Sequence, residues 1–154
     1  MTSAISAHFK EHVFRSGLTY TAHPVSLAAM IANVRVIQED KLVENAASLG
    51  ASLNRMLSDL GEAHLSVGDV RSIGLFGVIE LVKNRETKEP MTPWDSSSSE
   101  MEVFKKFCRR NGLFISVHWH TVLIIPPLNI TEKELAEGFA ILDEALKITD
   151  EGVE

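Results

Sequence analysis

The sequence predicts an α+β domain: a small antiparallel sheet of about three strands with helices packed on one face. Three observations favour this class. Apolar residues recur at helical spacing before residue 61 and again after residue 131, and they alternate in strand fashion from Val70 to Val82. Pro126 and Pro127 then end a further strand, since proline cannot donate to a sheet. The 154 residues suffice for one sizeable core.

The N-terminal part of the chain is predicted to be helical. A weak helix is expected over 1–14, and Pro24 opens a second one, because its missing N–H costs nothing at the first helical position. A third helix is predicted to end at Gly61, interpreted as the glycine that follows the last turn. The apolar stripe of the second helix is formed by Leu27, Met30, Ile31, Val34 and Ile37.

The middle of the chain changes from helical to strand periodicity. Val70 to Val82 is predicted to be a single strand with a bulge or bend near Gly74. The polar segment 83–98, with its two prolines and its serine run, is predicted to be a surface loop and not a domain linker.

The last third of the chain is predicted to hold two helices and two short strands. Ser99 precedes the next helix with the spacing of a capping box, and that helix should stop at Gly112. Strands are expected at 113–118 and 121–125, and Thr131 caps the final helix.

Composition excludes several classes of function. The formal charge of −6 is spread without a basic block, so nucleic acid is not an expected partner. No apolar run is long enough for a bilayer and the N-terminus lacks a secretory segment, so we expect no membrane association and a cytoplasmic location. The single cysteine, Cys108, lies among Phe104 and Phe107 and is predicted to be buried instead of reactive.

The segment 17–24 is a candidate anion site. It places two hydroxyls, of Thr19 and Thr21, immediately before a helix N-terminus, where amide groups and the helix dipole favour a phosphate. The alternative is structural: the threonines are turn residues and His23 stands in for an N-cap. The residues by themselves leave both interpretations open.

Three segments resemble one enzyme family in its motif order. Gly17-Leu18-Thr19-Tyr20-Thr21-Ala22-His23-Pro24 resembles the Gly-x-Thr-(Tyr/Phe)-x-Gly-(His/Asn)-Pro segment of class III pyridoxal-phosphate aminotransferases. Gly68 to Gly77 with Glu80-Leu81 is similar to that family's V-R-G-x-G-L-x-x-x-x-E-L, and Pro126 to Thr131 to its P-P-L-x-I-T. The resemblance implies the C-terminal part of a fold type I aminotransferase, a fold labelled α/β in the family.

The resemblance also implies two binding residues. In that family the motif threonine reaches the phosphate of the partner subunit's pyridoxal phosphate, a role that maps onto Thr19. Ala22 stands where the family more often has Gly or Ser. An arginine that pairs with a substrate carboxylate is replaced here by His118, a weaker and pH-dependent partner. Thr19 is therefore the predicted cofactor-binding residue and His118 the predicted substrate-binding residue.

Two histidine pairs were considered as metal ligands. His118 and His120 would point the same way in a strand, and His8 and His12 are one helical turn apart. Neither pair has a third ligand at a suitable spacing, so no metal site is predicted.

A catalytic residue is not predicted in this chain. A pyridoxal-phosphate enzyme needs a lysine for the internal aldimine, and in the resembled family it lies upstream of the threonine motif, in the large domain. None of the eight lysines here is at the corresponding place. They are Lys10, Lys41, Lys83, Lys88, Lys105, Lys106, Lys133 and Lys147.

The resulting hypothesis is a portion of an aminotransferase that transfers an amino group from an amine or ω-amino acid to a 2-oxo acid, with pyridoxal phosphate in the complete enzyme. Residues 1–23 would be an interface segment and phosphate loop, and 24–154 the small domain. The expected partners are the large domain or a second subunit in a homo-oligomer, and the isolated chain should be inactive. The alternative is a noncatalytic remnant that acts as an interaction module.

Overall fold

The computed structural model describes residues 2–17 and 19–154. Met1 of the predicted first helix and Leu18 of the predicted phosphate loop lie outside them. The helices are α1 Ser3–Glu11, α2 Pro24–Glu39, α3 Leu42–Ala63, α4 Ser99–Arg110 and α5 Glu132–Asp150. The strands are β1 Val67–Ile73, β2 Phe76–Asn84, β3 Glu89–Pro90, β4 Ser116–His118 and β5 Thr121–Ile124. None of these helices combines the length and hydropathy needed to cross a membrane.

The chain divides into two compact units, residues 1–36 and 37–154. The first unit contains α1 and most of α2, and neither helix has a buried residue in the described part of the chain. Even Phe9 and Met30, large apolar residues, are 39% and 55% exposed. The first unit therefore has amphipathic helices but no core of its own.

The second unit is built around α3. This helix turns Leu49, Leu53, Leu57 and Leu60 inward at helical spacing and packs against β1 and β2. Helices α4 and α5 pack against each other and complete the core. The largest fully buried side chains include Phe104, Leu53, Leu57, Ile79, Leu81, Met91, Met101 and Leu146.

The sheet confirms the predicted α+β class. Its order is β1-β2-β5-β4 with antiparallel pairing throughout, and β3 pairs with the end of β2. One face buries Ile79 and Val122, which are register partners. The opposite face exposes Ile73 (79%), Phe76 (43%) and Ile125 (61%), so the sheet has one covered and one open face.

The sheet has five strands instead of about three for two reasons: the predicted single strand is a hairpin, and β3 lies within segment 83–98, which was predicted to be a surface loop but pairs with β2 and buries Met91 and Thr92. The chain reverses between β1 and β2 at Gly74, whose φ of 54° is easily adopted only by glycine. A Cβ added to Gly50 of α3 would lie 2.7 Å from the Gly74 Cα, so two glycines allow helix and turn to touch. Alternating hydrophobicity continued through the turn and concealed it.

Three helix-end predictions can be compared with the structure. Helix α3 continues through Gly61 to Ala63, so Gly61 does not follow the helix. The cap of α4 is Ser98 and not Ser99, because the Ser98 hydroxyl accepts the Met101 amide. Thr131 forms the complete capping box expected before α5.

Cys108 is buried as predicted. Its side chain is fully buried in the core, and burial raises the pKa of its thiol to about 11. The thiolate that would react is therefore scarce at neutral pH.

Candidate functional site

The predicted phosphate loop forms tight turns before α2. The His23 amide donates to the Tyr20 carbonyl (3.1 Å), and the His23 carbonyl accepts the Leu27 amide (3.0 Å) as the first bond of the helix. His23 thus occupies the N-cap position through its backbone. Thr19 is exposed at the start of this turn.

The beginning of α2 directly follows the Thr19 turn. Pro24 has no N–H, and helix geometry gives the amides of Val25 and Ser26 no intrahelical acceptor. Helix N-terminal amides and a threonine hydroxyl are both groups that bind phosphate. The turn interpretation and the phosphate interpretation of Thr19 are therefore compatible.

Two residues of this loop have a left-handed backbone conformation. Tyr20 and Ala22 have φ values of 65° and 60°. This conformation costs a non-glycine residue about 1 kcal/mol or more. Ala22, which stands where the resembled family more often has Gly or Ser, carries that cost.

His118 lies at the end of β4 on the open face of the sheet. It is exposed, it pairs in register with Thr121, and its Nε2 is 3.4 Å from the Ser116 hydroxyl. An exposed imidazole on an uncovered face is accessible to a ligand, but its described neighbours give it no charged partner. The structure thus leaves the predicted carboxylate contact open.

A cation that the sequence analysis treated only as a family motif residue shares that face. Arg71 of β1 is directly opposite Val78 and contacts the carboxylates of Asp69 and Glu80. The hydrogen bond that Arg71 donates to Glu80 and the negative charge of both carboxylates raise the pKa of Arg71, although burial opposes them. Arg71 is committed to these carboxylates and would have to leave them to bind a substrate.

The His118-Trp119-His120 constellation is a turn with aromatic contacts. Trp119 has a φ of 55°, and its ring centroid lies 4.4 Å from that of Trp94. The His120 Nδ1 is 3.1 Å from the Thr92 carbonyl oxygen, so this imidazole links the turn at Trp119 to the segment that follows β3. Among the described residues, no group of three or more His, Cys, Asp or Glu side chains could hold a metal ion.

The structure also contains a polar network that the sequence analysis missed. His64, the C-cap residue of α3, is 4% exposed and lies between two carboxylates of α5. Its Nδ1 is 2.7 Å from Asp150 Oδ2, and its Nε2 is 3.1 Å from Asp143 Oδ1. The Ser66 amide and hydroxyl both donate to Asp150, at 2.8 and 2.7 Å.

This network joins elements and has no catalytic arrangement. The Ser66 hydroxyl contacts Asp150 and Thr149 but not His64, so no nucleophile is paired with a base. Arg85 adds hydrogen bonds to the carbonyls of Gly61, His64 and Val67 and thereby caps α3. Asp143 is 79 positions from His64 in the sequence, so no local spacing pattern indicates that the two residues are in contact.

The eight lysines of the chain lie at accessible positions. All eight belong to the described residues 2–17 and 19–154, and each is exposed or half-buried. Lys105 and Lys147 are ion-paired with Glu102 and Glu144 on their own helices. A Schiff-base lysine instead requires a desolvated amine with a lowered pKa.

Comparison with known proteins places the chain among aminotransferases. A family model described as aminotransferase class-III matches residues 2–146. The chain is 31% identical over 137 residues to putrescine–pyruvate aminotransferase of Pseudomonas aeruginosa, covering 88% of the chain and 29% of that enzyme. It is 33% identical over 134 residues to isoleucine 2-epimerase of Lentilactobacillus buchneri, with 87% and 29% covered.

A solved structure gives the same result. Taurine:2-oxoglutarate aminotransferase from Bifidobacterium kashiwanohense, determined in complex with PLP and glutamate, superposes with a TM-score of 0.87 at 34% identity. The match covers 97% of this chain and 33% of that one. The chain thus spans about a third of the length of the relatives that it matches.

Proposed function

Since the chain belongs to the class-III aminotransferase family, we propose that it is the C-terminal portion of a pyridoxal-phosphate enzyme that moves an amino group from an amine or ω-amino acid to a 2-oxo acid. The observation that supports this most directly is the exposed Thr19 in the turn that leads into the N-terminus of α2. Both features suit the phosphate of the cofactor.

In this proposal Thr19 donates a hydrogen bond to the phosphate, and the α2 N-terminus adds its dipole. When bound, pyridoxal phosphate supplies the electron sink for amino transfer. Residues 1–23 form the interface segment and phosphate loop, and 24–154 form the small domain. We place the enzyme in the cytoplasm, as predicted from the sequence.

His118 is the proposed contact for a substrate carboxylate. Its exposed position on the open sheet face supports access. An imidazole can donate a hydrogen bond to a carboxylate, although it lacks the two-pronged geometry of the arginine that it replaces.

The chain alone is proposed to be inactive. No lysine among its described residues is buried, whereas the internal aldimine needs a desolvated amine. A large domain or a second subunit, within a homo-oligomer, would supply that residue. Exposed apolar side chains on α2 support such a partner, because soluble proteins rarely leave large apolar patches uncovered. These side chains are Val25, Leu27, Met30, Ile31, Val34 and Val36.

The same exposed surfaces favour a second candidate function, a noncatalytic interaction module. Ile73, Phe76 and Ile125 on the open sheet face would then bind a partner that need not be an aminotransferase. In either case the isolated chain should self-associate or bind a hydrophobic dye more than an ordinary monomer. A monodisperse monomer that does not increase the fluorescence of the dye would contradict both candidate functions.

Complementation distinguishes the two candidates. The chain is mixed with the large-domain portion of the Pseudomonas aeruginosa putrescine–pyruvate aminotransferase, prepared without its matching C-terminal segment. Amino transfer to pyruvate from putrescine should appear only in the mixture, and Leu142→Ala, which damages the core of this chain, should reduce it. A stable complex without any transfer would favour the interaction module.

A further inference from the structure

A cavity of about 360 Å³ in the second unit has no role in the function proposed above. It lies between α5 and the segment 113–115 that precedes β4, and Pro126-Pro127 closes it after β5. Leu135 and Phe139 contribute a hydrocarbon wall. Its size and apolar lining are those of small-molecule sites.

A glycine in α5 keeps the cavity wide. Gly138 lines it in the middle of the helix, where glycine is less favourable than alanine. A Cβ at this position would meet the Leu113 Cδ1 at 3.7 Å, an ordinary contact. Packing therefore does not require glycine at 138, but a larger side chain would occupy the cavity.

A cationic cavity adjoins the apolar one. It has a volume of about 250 Å³, shares the segment 113–115 with the first, and is lined by Lys106 and Arg109 of α4. The Arg109 guanidinium carbon is 5.9 Å from the centroid of the Phe114 ring, which lines both cavities. Phe114 is 84% exposed, so the junction is open to solvent.

The charged side chains around the two cavities make one end of the combined site negative and the other positive. Glu102 in the cationic cavity is ion-paired with Lys105 and so leaves Lys106 and Arg109 in excess. Glu134 lines only the apolar cavity, and hydrogen bonds from Thr131 hold its pKa below the usual range. An anionic group is therefore repelled at one end and attracted at the other.

We propose that the two cavities together bind an amphiphilic carboxylate. Its hydrocarbon part fills the space beside Gly138, and its carboxylate lies at the junction where Arg109 and Lys106 face it. Hydrogen-bonded pairing with a guanidinium is strong and geometrically specific for carboxylates. Because the whole chain carries a net charge of −6, only this local cationic excess favours an anion.

Octanoate is the probe for this site, and octanol and octylammonium, which have the same chain length, are the neutral and cationic control ligands. Titration followed by amide NMR and calorimetry should give one saturable octanoate site, with shifts at 113–115 and at Gly138. The neutral and cationic analogues should bind at least about tenfold more weakly, since each lacks the charged hydrogen bond. Equal affinity for octanoate and octanol would overturn the proposal.

Matched variants separate charge from shape. Arg109→Gln should lower octanoate affinity about tenfold, whereas Arg110→Gln, on the same helix end but lining neither cavity, should leave it unchanged. Gly138→Leu should abolish binding by filling the cavity. Gly138→Ala keeps the fold testable if the leucine variant does not fold, and it should weaken binding without lowering the melting temperature. Unchanged affinity in Arg109→Gln, or full binding by a folded Gly138→Leu, would contradict the assignment.

Discussion

The two units of the chain use the same amphipathic pattern for opposite purposes. In the first unit, Met30 and Ile31 of α2 follow helical spacing yet remain 55% and 49% exposed. In the second, Leu53 and Leu57 of α3 follow the same spacing and are completely buried. An apolar stripe on a helix therefore predicts that this face is buried in a contact, but it does not say which element or chain supplies that contact. The buried core lies in the second unit, while the threonine of the proposed phosphate loop lies in the first.

The largest effect should come from truncating the core of the second unit. Leu57→Ala should lower the free energy of unfolding by about 2–5 kcal/mol, since it leaves a cavity among fully buried side chains. Met30→Ala, an equal kind of change in the first unit, should cost about 0.5 kcal/mol or less. Urea unfolding followed by the fluorescence of Trp94 and Trp119, which both lie in the second unit, measures the difference. Equal losses would contradict it.

The next effect should come from the polar network between α3 and α5. Asp150→Asn replaces an acceptor of charged hydrogen bonds and should cost about 1.5–3 kcal/mol at neutral pH. Burial raises the pKa of Asp150, but hydrogen bonds from Ser66 and His64 outweigh it and hold that pKa below its usual range. The Asp150 carboxylate therefore stabilises the fold at pH values above its pKa in the unfolded chain. This contribution is lost as the pH falls through its pKa in the folded protein.

Unfolding measured from neutral pH down to about pH 2 tests the sign. The stability advantage of the parent over Asp150→Asn should shrink as the solution becomes acidic. Asp59→Asn, a change of an exposed carboxylate on α3, should give no such convergence. A constant gap between parent and Asp150→Asn at every pH would exclude the proposed linkage.

A smaller loss should follow from a close approach of backbones. Gly50→Ala places a methyl group 2.7 Å from the Gly74 Cα, so helix and turn must separate, at a cost of about 1–3 kcal/mol. The matched change Gly61→Ala in the same helix makes only ordinary contacts, with Val70 at 3.7 Å and Val67 at 3.9 Å, and should stabilise by up to about 1 kcal/mol. Opposite shifts in melting temperature are the expected result, and shifts of one sign would refute the contact.

The smallest effect on folding should accompany a large effect on cofactor binding. Thr19→Ala should change the free energy of unfolding by about 0.5 kcal/mol or less, because the residue is exposed in a turn. In the complemented enzyme it should weaken cofactor retention about ten- to a hundredfold, the worth of a hydrogen bond to a charged group. Thr2→Ala, at another exposed threonine of the first unit, is the control. A melting loss as large as that of Leu142→Ala would make Thr19 structural.

The sequence predicted what local patterns encode. Thr131 and Glu134 lie three residues apart, so the α5 capping box was visible, and the Phe104 and Cys108 face of α4 was evident from helical spacing. The hairpin was missed because alternation ran through Gly74, and glycine indicates either a bulge or a turn. That ambiguity accounts for one extra strand, and the other, β3, lies in segment 83–98, whose prolines and serines favoured a loop.

The site was predicted only as far as its residues are neighbours in the chain. The Thr19 loop could be found because a motif of eight consecutive residues carries it. The network of His64 with Asp143 and Asp150 and the cavity beside Gly138 depend on tertiary contacts across many positions, which no spacing rule contains. His118 remains a prediction, since its proposed partner is a substrate.

The most direct test of the central claim uses the chain alone with pyridoxal phosphate and borohydride. If this chain is a portion that needs its lysine from elsewhere, reduction should leave only a weak label spread over exposed lysines, as measured by peptide mass spectrometry. Addition of the large-domain portion should move the label onto one lysine of that portion. A stoichiometric adduct on one lysine of this chain alone would contradict the account.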